Sequence, residues 1–214
     1  MKTVFIHIAI FCSLVAGAQS AKYNEAMQKQ LAMLDSGRTG EQWQQLANTF
    51  ERIAKAEKTE WHPYYYGAYA LIMQAFSEKD ISKIDPMLDK ADSWLAEASL
   101  LKPNNSEIAN LQAMALQARM RVDGSRGMTM GPKATEILQK AMAQQPANNP
   151  RVYMSLAQNL YYTPEAFGGG KQKGLDLMEK ALALYNVFKT ESPFDPTWGK
   201  PYVEGVLKQW KSGK

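Results

Sequence analysis

Two residue types that carry much of protein chemistry are nearly missing. The 214-residue chain has one cysteine, Cys12, and two histidines, His7 and His62. Cys12 and His7 both fall in the opening stretch MKTVFIHIAIFCSLVAGAQS, where Lys2 precedes an apolar run from Val4 to Val15 and small residues follow at Ala16, Gly17 and Ala18. That is the pattern of a cleavable secretory signal over residues 1–18, too short to remain as a membrane span. The small residues place cleavage after Ala18, with a site a few residues later as the alternative. A lipid-attachment signal wants small residues just before its cysteine, and Cys12 follows Phe11. A soluble periplasmic or secreted protein is therefore expected.

Without residues 1–18 the chain holds no cysteine and only His62. A disulfide, a thiolate nucleophile and a Cys/His zinc site are then excluded. A Ser-His-Asp relay would need His62, which sits in TEWHPYYYG and reads as a helix-start residue beside Pro63. Carboxylates such as Asp85, Asp89 and Glu165 are scattered among turn-like stretches, with no pair on one apolar helix face to do acid/base work. No catalytic residue, metal ligand set or cofactor is assigned, and the chain is expected not to be an enzyme. Charge of one sign is also lacking: 25 Lys+Arg stand against 21 Asp+Glu, mixed along the chain. Such dilution makes a solvated surface and argues against a nucleic-acid partner. The basic KQWKSGK at the end reads as a solvated helix terminus, and no second apolar run is long enough to cross a membrane.

What is present is helical periodicity. From Ala21 onward apolar residues recur three and four apart, and strand-like alternation is absent. The pattern repeats. ADSWLAEASLLKPNN from Ala91 aligns with ATEILQKAMAQQPANN from Ala134, pairing Ala91 with Ala134, Leu95 with Leu138, Ala98 with Ala141 and Pro103 with Pro146. GLDLMEKALALY puts Gly174, Met178 and Ala181 on the same columns, and ANTFERIAKAEK adds Ala47, Phe50 and Ala54. A second family of segments, PYYYGAYALIMQA, SEIANLQAMALQA and PRVYMSLAQNLYY, aligns Ala68 with Ala113 and Ala157, and Leu71 with Leu116 and Leu160. Small residues recur where helices must approach closely, large apolar residues fill between them, and proline or serine opens each first helix.

These small-residue, large-residue and closing-proline columns resemble the tetratricopeptide repeat family over three hairpins, with a degenerate fourth before them. The resemblance implies an all-α fold, an α-solenoid of helical hairpins in a right-handed superhelix. Hairpins are expected at about 62–102, 106–146 and 150–189, preceded by the degenerate one at 21–58, within a repeat domain spanning 19–189. Residues 190–214 supply a cap helix from about Lys200 to Lys211 with Trp198 packed under it. The units run about 43 to 45 residues, longer than the family's 34. The extra length falls in SEKDISKID, GSRGMTMG and TPEAFGGGK, read as long turns inside the hairpins. GSRGMTMG puts Met128 and Met130 in a polar loop, a poor copper site without histidine or cysteine.

In that family the first helix of each hairpin lines a concave groove. Matched on Ala68, Ala113 and Ala157, the groove columns hold Tyr65 and Tyr69, then Asn110, Met114 and Gln117, then Met154, Gln158 and Tyr161. No lysine or arginine occurs among them, so the family's basic clamp for a peptide carboxylate is matched only at Asn110. Binding is expected to depend weakly on salt. The tyrosines have a second reading, as core. The triple glycine of AFGGGK, with no preceding strand and no following Gly-Lys-Ser/Thr, reads as a hairpin turn or as a contact loop of Phe167, Gly168, Gly169 and Gly170. The function implied is an exported scaffold gripping a protein or peptide partner in the bacterial envelope. The alternative is a helical repeat protein that binds or helps transport a small ligand.

The exported form should begin at Gln19 or within a few residues of it. Intact-mass measurement of protein recovered after export checks this, and a chain retaining Met1 or carrying lipid on Cys12 would overturn it.

Overall fold

The computed structural model describes residues 21–34 and 39–212; the expected signal at 1–18 lies outside the described residues. Helix α1 occupies residues 21–31. It is followed by α2 (Gly40–Ala56), α3 (Trp61–Ser77), α4 (Ile84–Leu101), α5 (Ser106–Arg119), α6 (Gly127–Ala141), α7 (Pro150–Tyr162), α8 (Lys171–Tyr185) and α9 (Lys200–Lys211). No strand is present among the described residues, and the fold is an all-α helical repeat.

Local chemistry sets the helix starts. Thr39 and Gln42 form a reciprocal capping box at α2. Asn105 caps α5 by accepting from the N–H groups of Glu107 and Ile108, and Asn149 caps α7 ahead of Pro150 at the first turn. Each of the three later hairpins carries a short 3-10 turn just before its second helix, at Ile81–Lys83, Gly124–Arg126 and Glu165–Phe167. Asp80 and Asp123 cap the first two. The intra-hairpin stretches are thus shorter than the sequence reading allows. Met128 and Met130 do not sit in a polar loop but in the opening turns of α6, because the 3-10 turn at Gly124–Arg126 leads directly into that helix.

Packing follows the repeat columns. Ala47, Ala54, Ala68, Ala91, Ala98, Ala113, Ala134, Ala141, Ala157 and Ala181 are all buried. At Gly174 an added Cβ would lie 2.5 Å from the Tyr161 Cβ and 2.9 Å from the Ala157 carbonyl oxygen, so α7 and α8 close to a distance only glycine permits there. Helix α3 packs on both α2 and α4, α5 on α6, α7 on α8, and α9 closes the stack against α8. The first helices α3, α5 and α7 also pack on one another in succession, forming one side of the stack. Successive hairpins are stitched where the caps meet: Asn149 donates to the Ser106 hydroxyl (3.0 Å), which donates to the Pro146 carbonyl (2.9 Å).

Beneath these caps lies a fully buried ion pair. Arg151 on α7 is 1% exposed and Glu107 on α5 2%. The guanidinium forks onto the carboxylate, Nε to Oε2 at 2.7 Å and Nη2 to Oε1 at 2.5 Å. Its third edge donates to the Trp198 carbonyl at 3.2 Å, while Phe188, Trp198 and Tyr185 surround its faces at 5.1, 5.6 and 5.8 Å. Burial works against the Arg151 charge, but Glu107 outweighs it and pushes the guanidinium pKa up. The segment 190–199 is tied down at two more points. His62 is not merely a helix-start residue: it is buried, and its Nε2 lies 3.0 Å from Asp195 Oδ1. Burial works against the charge of the Asp195 carboxyl, but the bond to His62 overcomes this and holds it below its ordinary range. Tyr66 donates to the Phe194 carbonyl at 2.9 Å.

Removing one member of a buried pair leaves an uncompensated charge. Glu107→Gln or Arg151→Met alone should lower unfolding stability by about 3–5 kcal/mol. The double change Glu107→Leu/Arg151→Met should lose less than the worse single change. Urea denaturation of the three variants checks the order, and a double mutant as unstable as the sum of the singles would contradict it.

Candidate ligand-binding groove

The side formed by α3, α5 and α7 is concave and holds a cavity of about 1140 Å³. Its floor comes from the three first helices at helical spacing: Tyr69, Met73 and Phe76 on α3, Met114 and Gln117 on α5 with Met120 at its C-cap, Met154 and Gln158 on α7. One wall is the start of α6, including Met128 and Pro132. A second rim comes from the end of α7, with Tyr162, the turn after it, with Phe167 and Gly168, and the first turn of α8, with Lys173. Trp198 and Tyr202 close the end. The lining is dominated by aromatic rings and thioethers, with amides of Gln117, Gln158 and Asn159 set among them. Methionine is unbranched and polarisable, so five thioether side chains make a surface that adapts to a large flat or irregular apolar guest.

Trp198 connects this groove to the buried ion pair. Its ring stacks on Tyr69, centroids 4.5 Å apart and planes 27° apart. Its Nε1 donates to the Tyr65 hydroxyl at 3.1 Å, and Tyr65 donates in turn to Glu107 Oε2 at 3.5 Å. Its carbonyl accepts from Arg151 and from the Tyr185 hydroxyl at 3.2 Å. Trp198 is therefore not simply tucked under the cap helix: it reaches back across the stack and forms part of the groove wall. Gly199, at φ 112, permits this approach, since an added Cβ would fall 2.1 Å from the Tyr185 hydroxyl oxygen.

The residues read from sequence divide. Tyr69, Met114, Gln117, Met154 and Gln158 line the cavity, as do Phe167 and Gly168 from the loop. Tyr65 and Asn110 do not: both are 0% exposed. Burial, and then the Glu107 charge, push the Tyr65 hydroxyl well above its ordinary pKa, so it stays a neutral donor. Asn110 donates to the Met114 sulfur at 3.5 Å and so supports a groove residue from behind. Tyr161 lies outside the cavity lining because it stacks on Trp210 of α9, with centroids 3.7 Å and planes 7° apart.

Gly169 and Gly170 are turn residues and not lining. Gly168 adopts φ 84, and the Gly170 N–H returns to the Leu160 carbonyl at 2.9 Å. A Cβ on Gly169 would sit 2.1 Å from the Thr163 carbonyl oxygen, so the triple glycine is a tightly folded helix stop.

Sequence columns missed the rest. Met73 and Phe76 continue the α3 stripe four and seven residues after Tyr69, and Met120 continues that of α5, so extending the columns would have found them. The α6 wall was hidden by reading its start as loop. Lys173, Trp198 and Tyr202 come from other elements and leave no mark on the first-helix columns.

Fold and groove together define an all-helical repeat protein with an apolar concave cavity of ligand size. No family model matches the chain, and no curated protein matches it. Among solved structures, the HusA haemophore from Porphyromonas gingivalis is similar, with a TM-score of 0.80 and 36% sequence identity, covering 90% of this chain and 94% of that one. The chain belongs to the family of the HusA haemophore. The similarity carries the helical repeat and does not itself carry the tetratricopeptide name.

The two tyrosine roles are separable by measurement. Tyr65→Ala should cost about 3–5 kcal/mol of stability, as expected for a large buried ring. Tyr162→Ala, at a rim position 74% exposed, should change stability by no more than about 0.5 kcal/mol. Equal losses in urea denaturation would mean that the rim is part of the core.

Proposed function

We propose that this chain is an exported, non-catalytic carrier that binds a large, flat, apolar small molecule in the α3/α5/α7 groove, with haem as the leading candidate cargo. The observation that carries this reading is the groove itself: a cavity of about 1140 Å³ walled by methionine and aromatic side chains, in a chain similar over nearly its whole length to a protein named a haemophore. The comparison favours the small-ligand alternative over the protein or peptide scaffold. A tetratricopeptide-like frame serves this use well, because first helices that pack side by side present a continuous concave surface.

The groove's donor set bears on how such a cargo would be held. Histidine and cysteine are absent from the lining residues. Thioether and phenol donors are available for haem iron in principle. The Met114 and Met154 sulfurs already face the Asn110 amide and the Tyr185 hydroxyl. Burial raises the Tyr202 phenol pKa and outweighs the opposing bond from the Gln158 amide, which already occupies a lone pair of that oxygen. With no histidine or cysteine in the lining, the affinity is assigned here to the macrocycle and not to the metal. Contact with the Trp198 and Phe76 rings and burial of apolar area would supply most of the affinity.

Titration with haemin should quench tryptophan fluorescence, through Trp198 on the wall, and shift the haem absorption band. Metal-free protoporphyrin should bind within about tenfold of haemin, a difference of about 1.4 kcal/mol. Absence of saturable binding to either would overturn the reading. Binding of haemin alone would mean that an iron ligand, and not the ring surface, sets the affinity.

A further inference from the structure

We infer that Lys173 is the selectivity residue of the groove, favouring apolar ligands that carry a carboxylate at the end held by the α7–α8 turn. The inference rests on the small-ligand reading of the groove and does not require that the ligand be haem.

Two charged side chains, Glu136 and Lys173, stand among the described residues lining the cavity. Glu136 is already neutralised by Lys140 one turn along α6, at 2.6 Å. Lys173 is not matched by an acid: among the described residues no carboxylate lies within 4.0 Å of its Nζ, which instead donates to the Gly168 carbonyl at 3.0 Å. Glu165, the acid on the same turn, packs over Gly170 and makes no ion pair with Lys173. Among the described lining residues the groove thus carries one positive charge without an acidic partner, on the rim formed by the α7–α8 turn.

The position of that charge is fixed by the turn beneath it. Gly168 is held by its own N–H to the Glu165 carbonyl at 2.9 Å, and Gly169 is wedged against Thr163 with no room for a side chain. The carbonyl that holds the ammonium is therefore part of a well-packed turn. An ammonium has three donors, and Gly168 takes one. The other two remain for a ligand oxygen on the cavity side, beside Phe167. The rest of the lining offers amides and hydroxyls, which do not discriminate an acid from its ester by charge. An apolar body on the methionine and aromatic floor with an acid at the α8 end is the ligand shape that uses every part of this surface. One such contact also agrees with a modest salt dependence.

The experiment uses two acid/ester probe pairs: cis-parinaric acid with its methyl ester, and protoporphyrin with its dimethyl ester. Affinities are measured for the wild-type protein, Lys173→Met and Lys173→Arg. Lys173→Met, which keeps the aliphatic stem, should weaken both acids by about three- to tenfold. It should leave both esters unchanged, and Lys173→Arg should restore the acids. The variants should melt with the wild-type protein, since Lys173 is exposed. Equal weakening of acid and ester, no change in either, or failure of the wild type to bind any apolar carboxylate would overturn the inference. Lysine-dependent binding of parinaric acid with no binding of protoporphyrin or haemin would sustain it while refuting haem as the cargo.

Discussion

The bidentate Arg151–Glu107 pair is the constraint on which the groove depends. It joins the first helices of two neighbouring hairpins, α5 and α7, in a place where neither charge meets water. A buried pair of this kind is a weak source of net stability, because removing two ions from water opposes their attraction. Its geometric demand is strong, since a planar fork accepts a carboxylate in only a narrow range of positions. Spare donors then recruit the rest. The Trp198 carbonyl is drawn to Arg151, the Trp198 ring is laid on Tyr69, and Tyr65 bridges Trp198 to Glu107. The end wall of the cavity is in this way fixed by the same interaction that sets the register of α5 against α7.

The remaining walls arise from how the hairpins are elongated. Each of the three later units inserts a 3-10 turn before its second helix. In the second unit this turn feeds directly into α6, whose first turns then stand beside the groove with Met128 and Pro132 exposed to it. In the third, the tightly packed glycines carry Phe167 and Lys173 to a second rim. Residues in and just after these turns therefore add walls to the concave face, alongside the end wall from Trp198 and Tyr202. Tightly packed turns hold the rim while unbranched thioethers cover much of the floor, a combination suited to the bulky guest proposed above.

The sole histidine among the described residues, His62, is committed to Asp195, where it anchors the segment leading to Trp198. On the ligand-binding reading proposed above, recognition rests on shape, aromatic faces, a few amides and one ammonium. Such a surface discriminates mainly by the size and flatness of the apolar body, with charge deciding between similar bodies.

The all-helical class, the hairpin repeat and the buried small-residue columns were legible in the sequence, because each depends on spacing within one helix. Ala68, Ala113 and Ala157 align by counting residues, and all three are buried. The stripe Tyr69, Met114, Gln117, Met154 and Gln158 was legible for the same reason. Tyr65 and Asn110 share that local pattern yet point into the core, because Glu107, Trp198 and Met114 receive them there. Tyr161 is claimed by Trp210, nearly fifty residues later in the chain. The cavity's end wall, its second rim and its single unmatched cation were decided only by tertiary structure. Trp198, Tyr202 and Lys173 come from elements outside the first-helix columns, and periodicity specifies which face of a helix is apolar but not which distant segment is placed against it.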